Sequence, residues 1–292
     1  MLQVEIKERI VSKLIEAREN YPSDKKHAVA LGINNAQYSR IKKGELIKVI
    51  SEAKWVTLAR ILGVKLGKGN DWVTVKTETY NYITAQLVAC QERSMSAILC
   101  DISGIGKSHT AKEYARTHKN AVYIDCSQVK SKQKLVRKIA QELGVEHTGR
   151  YADIYEDLVF YIQSTPDILI ILDEAGDLSY EAFLELKALW NATEYTCGWY
   201  MMGADGLEQK IKKQKNLKKV GYTEIFDRYG NSFRRISPNG SDALKEFKMQ
   251  QVAEVAKANN SKISALEMYA KTKGSLRKVR HEIEKQYIHE EN

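Results

Sequence analysis

This chain is poor in several things. Of its 292 residues only three are proline, and there is no low-complexity tract and no internal repeat. That excludes a proline-rich linker or a repeat array and predicts an ordered chain nearly throughout. No apolar run approaches the ~20 residues a membrane helix needs. The N-terminus, MLQVEIKERI, is charged from Glu5 onward, so neither a signal peptide nor a membrane anchor is expected. Cysteine is scarce as well. Cys90, Cys100, Cys126 and Cys197 are far apart with no C-x-x-C pair, which argues against a zinc site. Their apolar neighbours predict small buried side chains in a reducing compartment, and the expected location is the cytoplasm.

What is present is ordinary in amount: 43% hydrophobic and 28% charged residues. At about 150 residues per domain, the length suits one large domain and one small one. Basic residues outnumber acidic ones, 46 to 37, for a net charge of +9. That excess suits a polyanionic partner without proving one.

Residues 1–66 read as an all-α unit. Leu2, Ile6, Ile10, Leu14 and Ile15 recur at helical spacing until Tyr21-Pro22 breaks the pattern. Ser23 or Asp24 can cap a short helix to Leu31, Gly32 allows a turn, and Asn34 can cap a second helix to Lys42 that Gly44 stops. A further helix is expected from Ser51 to Leu62. The glycine-rich stretch GVKLGKGNDWVTV, roughly Gly63 to Val75, reads as a linker, with the domain boundary drawn at residues 67–76. From 77 to 240 strands alternate with helices: strands at Ala97–Cys100, AVYIDC, DILIILDEA and GWYMMGA, with helices between them. That alternation, with continuously apolar strands, predicts an α/β fold on a parallel sheet covered on both faces. Residues 241–292 read as a helical tail.

The first strand runs into D-I-S-G-I-G-K-S, residues 101–108, which matches the phosphate-loop pattern G-x-x-x-x-G-K-[ST] everywhere except its first place. Asp101 stands where glycine is usual. An aspartate can adopt a positive φ at moderate cost, with its carboxylate near the site or turned away. Gly106 lets the backbone close around phosphate, Lys107 reaches the β and γ phosphates, and Ser108 ligates magnesium. The loop opens a helix whose positive end faces the anion. Ser103, Gly104, Ile105, Gly106, Lys107, Ser108 and His109 are therefore the candidate nucleotide-binding residues. The second signal is ILIILDEA. Asp173, at the end of a buried strand, can hold Mg2+ with Ser108, and Glu174 is placed to activate the attacking water. Lys107 and Glu174 are the catalytic candidates, with ATP and Mg2+ as the expected cofactors.

Together these motifs resemble an AAA+ P-loop ATPase over roughly residues 77–288. The resemblance implies further parts. An arginine finger serving a neighbouring subunit maps onto Arg228 in EIFDRYGNSFRRI, with Arg234 and Arg235 behind it. A sensor arginine opening a late lid helix maps onto Arg277 in KGSLRKVRHEI. Tyr80 and Asn81 would flank the adenine or simply cap a helix. Asp205 is nearest the first sensor, where asparagine or threonine is more usual.

The spacing Ala28, Gly32, Ile33, Tyr38, Ile41 fits a Cro-like helix-turn-helix. It leaves Asn34, Asn35, Gln37, Arg40, Lys42 and Lys43 facing outward, with no acid on that face until Glu45. Such side chains suit base edges and phosphates, although a protein-binding bundle would share the pattern. Two basic zones follow. One holds Lys130 and Lys132. The other, EQKIKKQKNLKKVG, holds six lysines including Lys210, Lys212 and Lys213. Both could neutralise DNA phosphates or be solvated faces.

A helix-turn-helix unit, a linker, an AAA+ core and a short lid, in that order, resemble the Mu B family of transposon target-selection ATPases, which includes the TnsC-type proteins. The resemblance implies ATP-dependent assembly of the chain with itself on double-stranded DNA, as a ring or helical filament, and a transposase partner. A helicase loader or replication initiator is the nearest alternative, and a nucleotide-switched DNA-binding regulator is another. Glu174 counts against the last, and a tail of roughly 50 residues is short for an initiator's lid plus winged helix.

Overall fold

The computed structural model describes residues 2–64, 66 and 72–288. Residues 67–71 of the expected linker and 289–292 of the expected tail lie outside the described residues.

Four helices form the N-terminal unit: α1 (Val4–Ala17), α2 (Asp24–Ala30), α3 (Asn35–Lys42) and α4 (Glu52–Ile61). The sequence explains their starts. Ser23, Asn34 and Ser51 each accept a backbone N–H from the third residue onward, as good N-caps do. Gly32 takes φ +65°, and the Ile33 amide then returns to the Ala28 carbonyl at 3.0 Å. One apolar cluster, with Ile10, Leu14, Ala28, Tyr38, Ile41, Trp55 and Leu58 at its centre, closes the unit.

The α/β region follows as α5 (Glu78–Glu92), β1 (Ser96–Cys100), α6 (Lys107–Thr117), β2 (Ala121–Asp125), α7 (Lys132–Glu142), α8 (Tyr151–Ser164), β3 (Ile168–Asp173), α9 (Tyr180–Ala192), β4 (Cys197–Gly203), α10 (Asp205–Asn216), α11 (Tyr222–Arg228) and β5 (Phe233–Arg234). The five strands form one parallel sheet in the order β2-β3-β4-β1-β5. Every residue of β3 and β4 is buried, because α5 and α6 cover one face while α7, α8 and α9 cover the other. α10, α11 and the two-residue β5 carry no apolar run that marks them in the sequence.

Among the described residues three helices follow: α12 (Ser241–Ala258), α13 (Ala265–Thr272) and α14 (Leu276–Ile288). Their small core of Val252, Val255, Met268, Val279 and Ile283 also takes in Trp72 and Val75 from the segment read as linker. Asn259 stitches that segment down, accepting from the Val73 amide at 2.8 Å and donating to its carbonyl at 3.1 Å. All four cysteines are buried and unpaired, and burial pushes the Cys90 and Cys100 thiols up to about 12.

Candidate nucleotide site

In a parallel sheet every strand delivers its following loop to the same edge, and ligands bind there. β1 and β3 flank β4 in register, so the loop after Cys100 and the acids after Leu172 emerge side by side. Gly104 (φ +81°) and Gly106 (φ +103°) carry the chain through left-handed turns that a side chain would strain. Gly106 is the N-cap of α6, and the first amides of that helix have no intrahelical partner. They present an anion site at the mouth of the loop. Lys107 is 8% exposed, and its ammonium donates to the carbonyls of Asp101 (2.7 Å) and Ile102 (2.6 Å). Burial lowers its pKa, while the nearby charges of Asp101 and Asp173 oppose the shift. Ile105 is buried, so it offers only backbone; Ser103 and His109 are exposed, and the His109 ring meets the Thr74 hydroxyl at 3.0 Å.

The structure corrects the reading of Asp101. This residue does not take a positive φ, so the place does not need glycine's freedom. Its side chain is wholly buried and turned toward the segment after β5. One oxygen accepts from the Ile236 (2.6 Å) and Ser237 (2.8 Å) amides, and the other from the Ile102 amide (2.7 Å) and the Ser237 hydroxyl.

Asp173 is 2% exposed at the end of β3. One carboxylate oxygen accepts from the Tyr123 hydroxyl at 2.6 Å and the other from the Glu174 amide at 2.9 Å. Tyr123 was not singled out from the sequence; its place in AVYIDC, on the strand that pairs with β3, is the signal that could have found it. Glu174 sits in the left-handed region at φ +49°, a strained place for a non-glycine residue, with its carboxyl exposed. Partial burial, with Asp173 beside it, raises its pKa. Ser108 and Asp173 supply a hydroxyl and a carboxylate. This hard oxygen pair fits Mg2+, which takes its remaining ligands from phosphate and water. Among the described residues no cluster of three His, Cys, Asp or Glu suited to a softer ion occurs.

The last helix closes on the loop. The Leu276 amide donates to the Gly104 carbonyl at 2.8 Å, and a Cβ on Gly104 would lie 2.8 Å from the Ser275 hydroxyl. Arg277, next in line, is exposed and has no ion pair among the described residues. The other arginine candidate lies elsewhere: Arg228 donates to the Asn191 side chain at 2.7 Å and stacks over Trp190, both on α9. No hydrogen bond or ion pair joins it to its own chain's loop among the described residues. Asp205 is held by Arg235 at 2.7 Å. Asn81 donates to the Lys76 carbonyl at 3.2 Å and Tyr80 is half-buried; the cap of α5 is neither of them but Thr77, whose hydroxyl accepts from the Tyr80 amide at 3.2 Å.

The basic candidates divide. Asn34 and Gln37 satisfy each other in a reciprocal capping box. Arg40 pairs with Glu45 at 2.9 Å, and Lys42 with Asp24 at 3.0 Å. The expectation of no acid on that face before Glu45 is therefore wrong, because α2 brings Asp24 across the turn. Asn35 and Lys43 stay exposed. Lys130 pairs with Asp177 at 3.2 Å, Lys132 lies over Tyr151, Lys212 pairs with Glu208, and Lys213 is exposed. Lys210 is not a surface charge. Its ammonium donates to the carbonyls of Gly176 and Leu178 at 2.7 Å each, tying α10 to the loop after β3.

A phosphate loop, an acidic strand end and a lid helix seated on that loop define the class: the chain carries a P-loop ATPase domain, and residues 90–211 match the AAA domain family. Within that class the chain is Mu B-like. It is 26% identical over 243 residues to the Mu-like prophage FluMu DNA transposition protein B of Haemophilus influenzae, covering 80% of this chain and 79% of that one. It is 25% identical over 215 residues to the ATP-dependent target DNA activator B of Escherichia phage Mu, and equally so to that of phage D108. Those alignments take in 72% of this chain and 64% of each phage protein.

Proposed function

We propose that the chain is an ATPase of DNA transposition that assembles on double-stranded DNA in the cytoplasm and directs a transposase to it. The observation that carries the reading is the meeting of three parts at one sheet edge: the loop with Lys107, the Asp173-Glu174 pair, and the lid helix bonded to Gly104. The relatives named for transposition and target DNA supply the biological half.

In this reading the α6 amides and Lys107 hold the phosphates of ATP, with Ser103 to His109 forming the cradle. Ser108 and Asp173 hold Mg2+, which supplies charge neutralisation on the phosphates when bound. Glu174 orients and deprotonates the attacking water, and a carboxyl whose pKa partial burial and the neighbouring Asp173 have raised is a better base than an unperturbed one. Arg277 approaches the nucleotide from the lid, and Tyr80 and Asn81 border the base. Arg228 acts in trans on a neighbour's site, consistent with its being held on α9 away from its own loop. The helices of residues 1–66 act as a helix-turn-helix against DNA through Asn35, Lys43, Arg40 and Lys42, with Asn34 and Gln37 serving mainly as the cap. Lys130, Lys132, Lys212 and Lys213 meet phosphates once the chain has assembled.

ATP hydrolysis measured with and without duplex DNA, with the same mixtures imaged by negative-stain microscopy, tests this reading. DNA-stimulated turnover with ATP-dependent rings or filaments supports it. DNA binding with neither turnover nor assembly would leave a nucleotide-switched regulator instead. Turnover that answers only to a replicative helicase would leave a loader.

A further inference from the structure

We propose that Asp101 is a positioning residue that fastens the phosphate loop to the hinge of the helical lid, so that the lid reports which nucleotide the loop holds. The proposal rests on residues 101–108 being the ATP loop.

Three features of the geometry point this way. The aspartate stands where the phosphate-loop pattern has glycine, yet its backbone makes no use of glycine's freedom. Its side chain is wholly buried, and four donors converge on it, three of them from Ile236 and Ser237. Those two residues end the sheet region: β5 stops at Arg234, and α12, the first lid helix, begins at Ser241. The carboxylate therefore bridges the first residue of the loop and the few residues on which the lid turns.

A second tie meets the loop from the lid's other end, where the Leu276 amide bonds the Gly104 carbonyl. Loop and lid thus touch at entry and exit, and Arg277 follows the exit contact directly. Lys107 closes the circuit by donating to the Asp101 carbonyl. A ligand that draws the Lys107 ammonium toward phosphate shifts its bond to Asp101, and the hinge bonded to Asp101 feels that shift. Glycine at 101 would satisfy the loop and leave the two hinge amides and the Ser237 hydroxyl without their acceptor. Buried donors left unpaired are costly enough to move the segment.

The experiment compares wild type with Asp101→Gly, Asp101→Asn and Ser237→Ala in the full chain. It measures kcat, the affinities for ADP and for a non-hydrolysable ATP analogue, and amide exchange over residues 236–240. Lys107→Ala serves as the dead-loop control. The expected result for Asp101→Gly is ADP affinity within about threefold of wild type, a kcat at least tenfold lower, a diminished preference for the ATP analogue over ADP, and faster exchange at Ile236 and Ser237. Asp101→Asn, which keeps one acceptor, should restore part of both kcat and preference. Ser237→Ala should move them the same way by less. If glycine or asparagine leaves kcat and preference at wild-type values, the tie does not matter. If ADP and the analogue weaken equally, Asp101 only shapes the loop. Either result overturns the proposal. If the glycine variant does not fold, the asparagine and alanine variants decide by the same two readouts. A wild type that binds no nucleotide, or binds it equally with Lys107→Ala, would refute the ATP-loop reading itself.

Discussion

Glu174 is held in a left-handed conformation directly after a fully buried strand, with its carboxyl in the open while Asp173 beside it is covered by Tyr123. One acid is thus fixed and the other free, a division of labour that suits a ligand to a cation and a base for water. Glu174→Gln keeps the shape and removes the basicity. Hydrolysis should fall by about 100-fold or more while ATP affinity stays within about threefold, and the protein should persist on DNA in ATP. Turnover assays and gel-shift lifetimes check this. Tyr123→Phe addresses the fixed acid. It removes one charge-assisted hydrogen bond, for which about 1–2 kcal/mol of stability is expected to be lost, and it should raise the Mg2+ concentration needed for half-maximal turnover. Urea unfolding and a magnesium titration read the two effects.

At the scale of elements, α6 is the longest-reaching part. It begins on the phosphate loop and carries in its last turn Arg116, whose guanidinium pairs with Glu16 of α1 at 2.6 Å and whose carbonyl accepts from Asn20. The N-terminal helices also rest on α7, where a Cβ on Gly144, at φ +69°, would lie 2.3 Å from the Lys26 carbonyl. Gly144→Ala should loosen that seat and cost about 1–3 kcal/mol, seen as lower urea stability and faster amide exchange in α2. Within the N-terminal unit His27 is 1% exposed and pairs with the Tyr38 hydroxyl at 2.9 Å. Burial first, and then Arg18 and Lys42, bring its pKa down to about 4, with Asp24 opposing. The unfolded chain, with an ordinary histidine, binds more protons between pH 6.5 and 4. His27 therefore favours the fold fully above pH 6.5, and that contribution, about 3 kcal/mol, is lost as the pH falls toward 4. The slope of unfolding free energy against pH should flatten over this window in His27→Gln, and the His27 ring signals should titrate below pH 5 by NMR.

For the whole molecule, the question is whether one chain makes a complete site. Arg228 sits against α9, apart from its own loop, so Arg228→Ala and Lys107→Ala should each be inactive alone if the arginine acts on a neighbour. Mixed one to one, they should recover up to about a quarter of wild-type turnover, because some junctions then pair an intact loop with an intact arginine. A mixture as inactive as its parts would place the arginine's role within its own chain. The proposed work on duplex DNA depends on the same point, since the candidate cations lie on well-separated elements and several are already paired with acids.

The sequence by itself determined the α/β class, four of the five strands, the phosphate loop and the acidic strand end. Those features are written in local patterns: apolar runs of strand length, cap residues, and a motif whose spacing is dictated by phosphate. It also marked the turn at Gly32 and the cap at Asn34, narrowed the cap of α2 to Ser23 or Asp24, and began α4 at Ser51. Only the tertiary structure decided the rest, because the rest depends on residues distant in sequence. Asp101 looked like a flawed glycine until Ile236 and Ser237 met it. Lys210 looked like a solvent lysine until two carbonyls enclosed it, and the outward face of α3 looked free of acids until α2 brought Asp24 to Lys42. β5 is two residues long and gains its identity by pairing with β1. A charge in a sequence carries its sign but not its partner, and the partner determines whether it binds a ligand or holds the fold together.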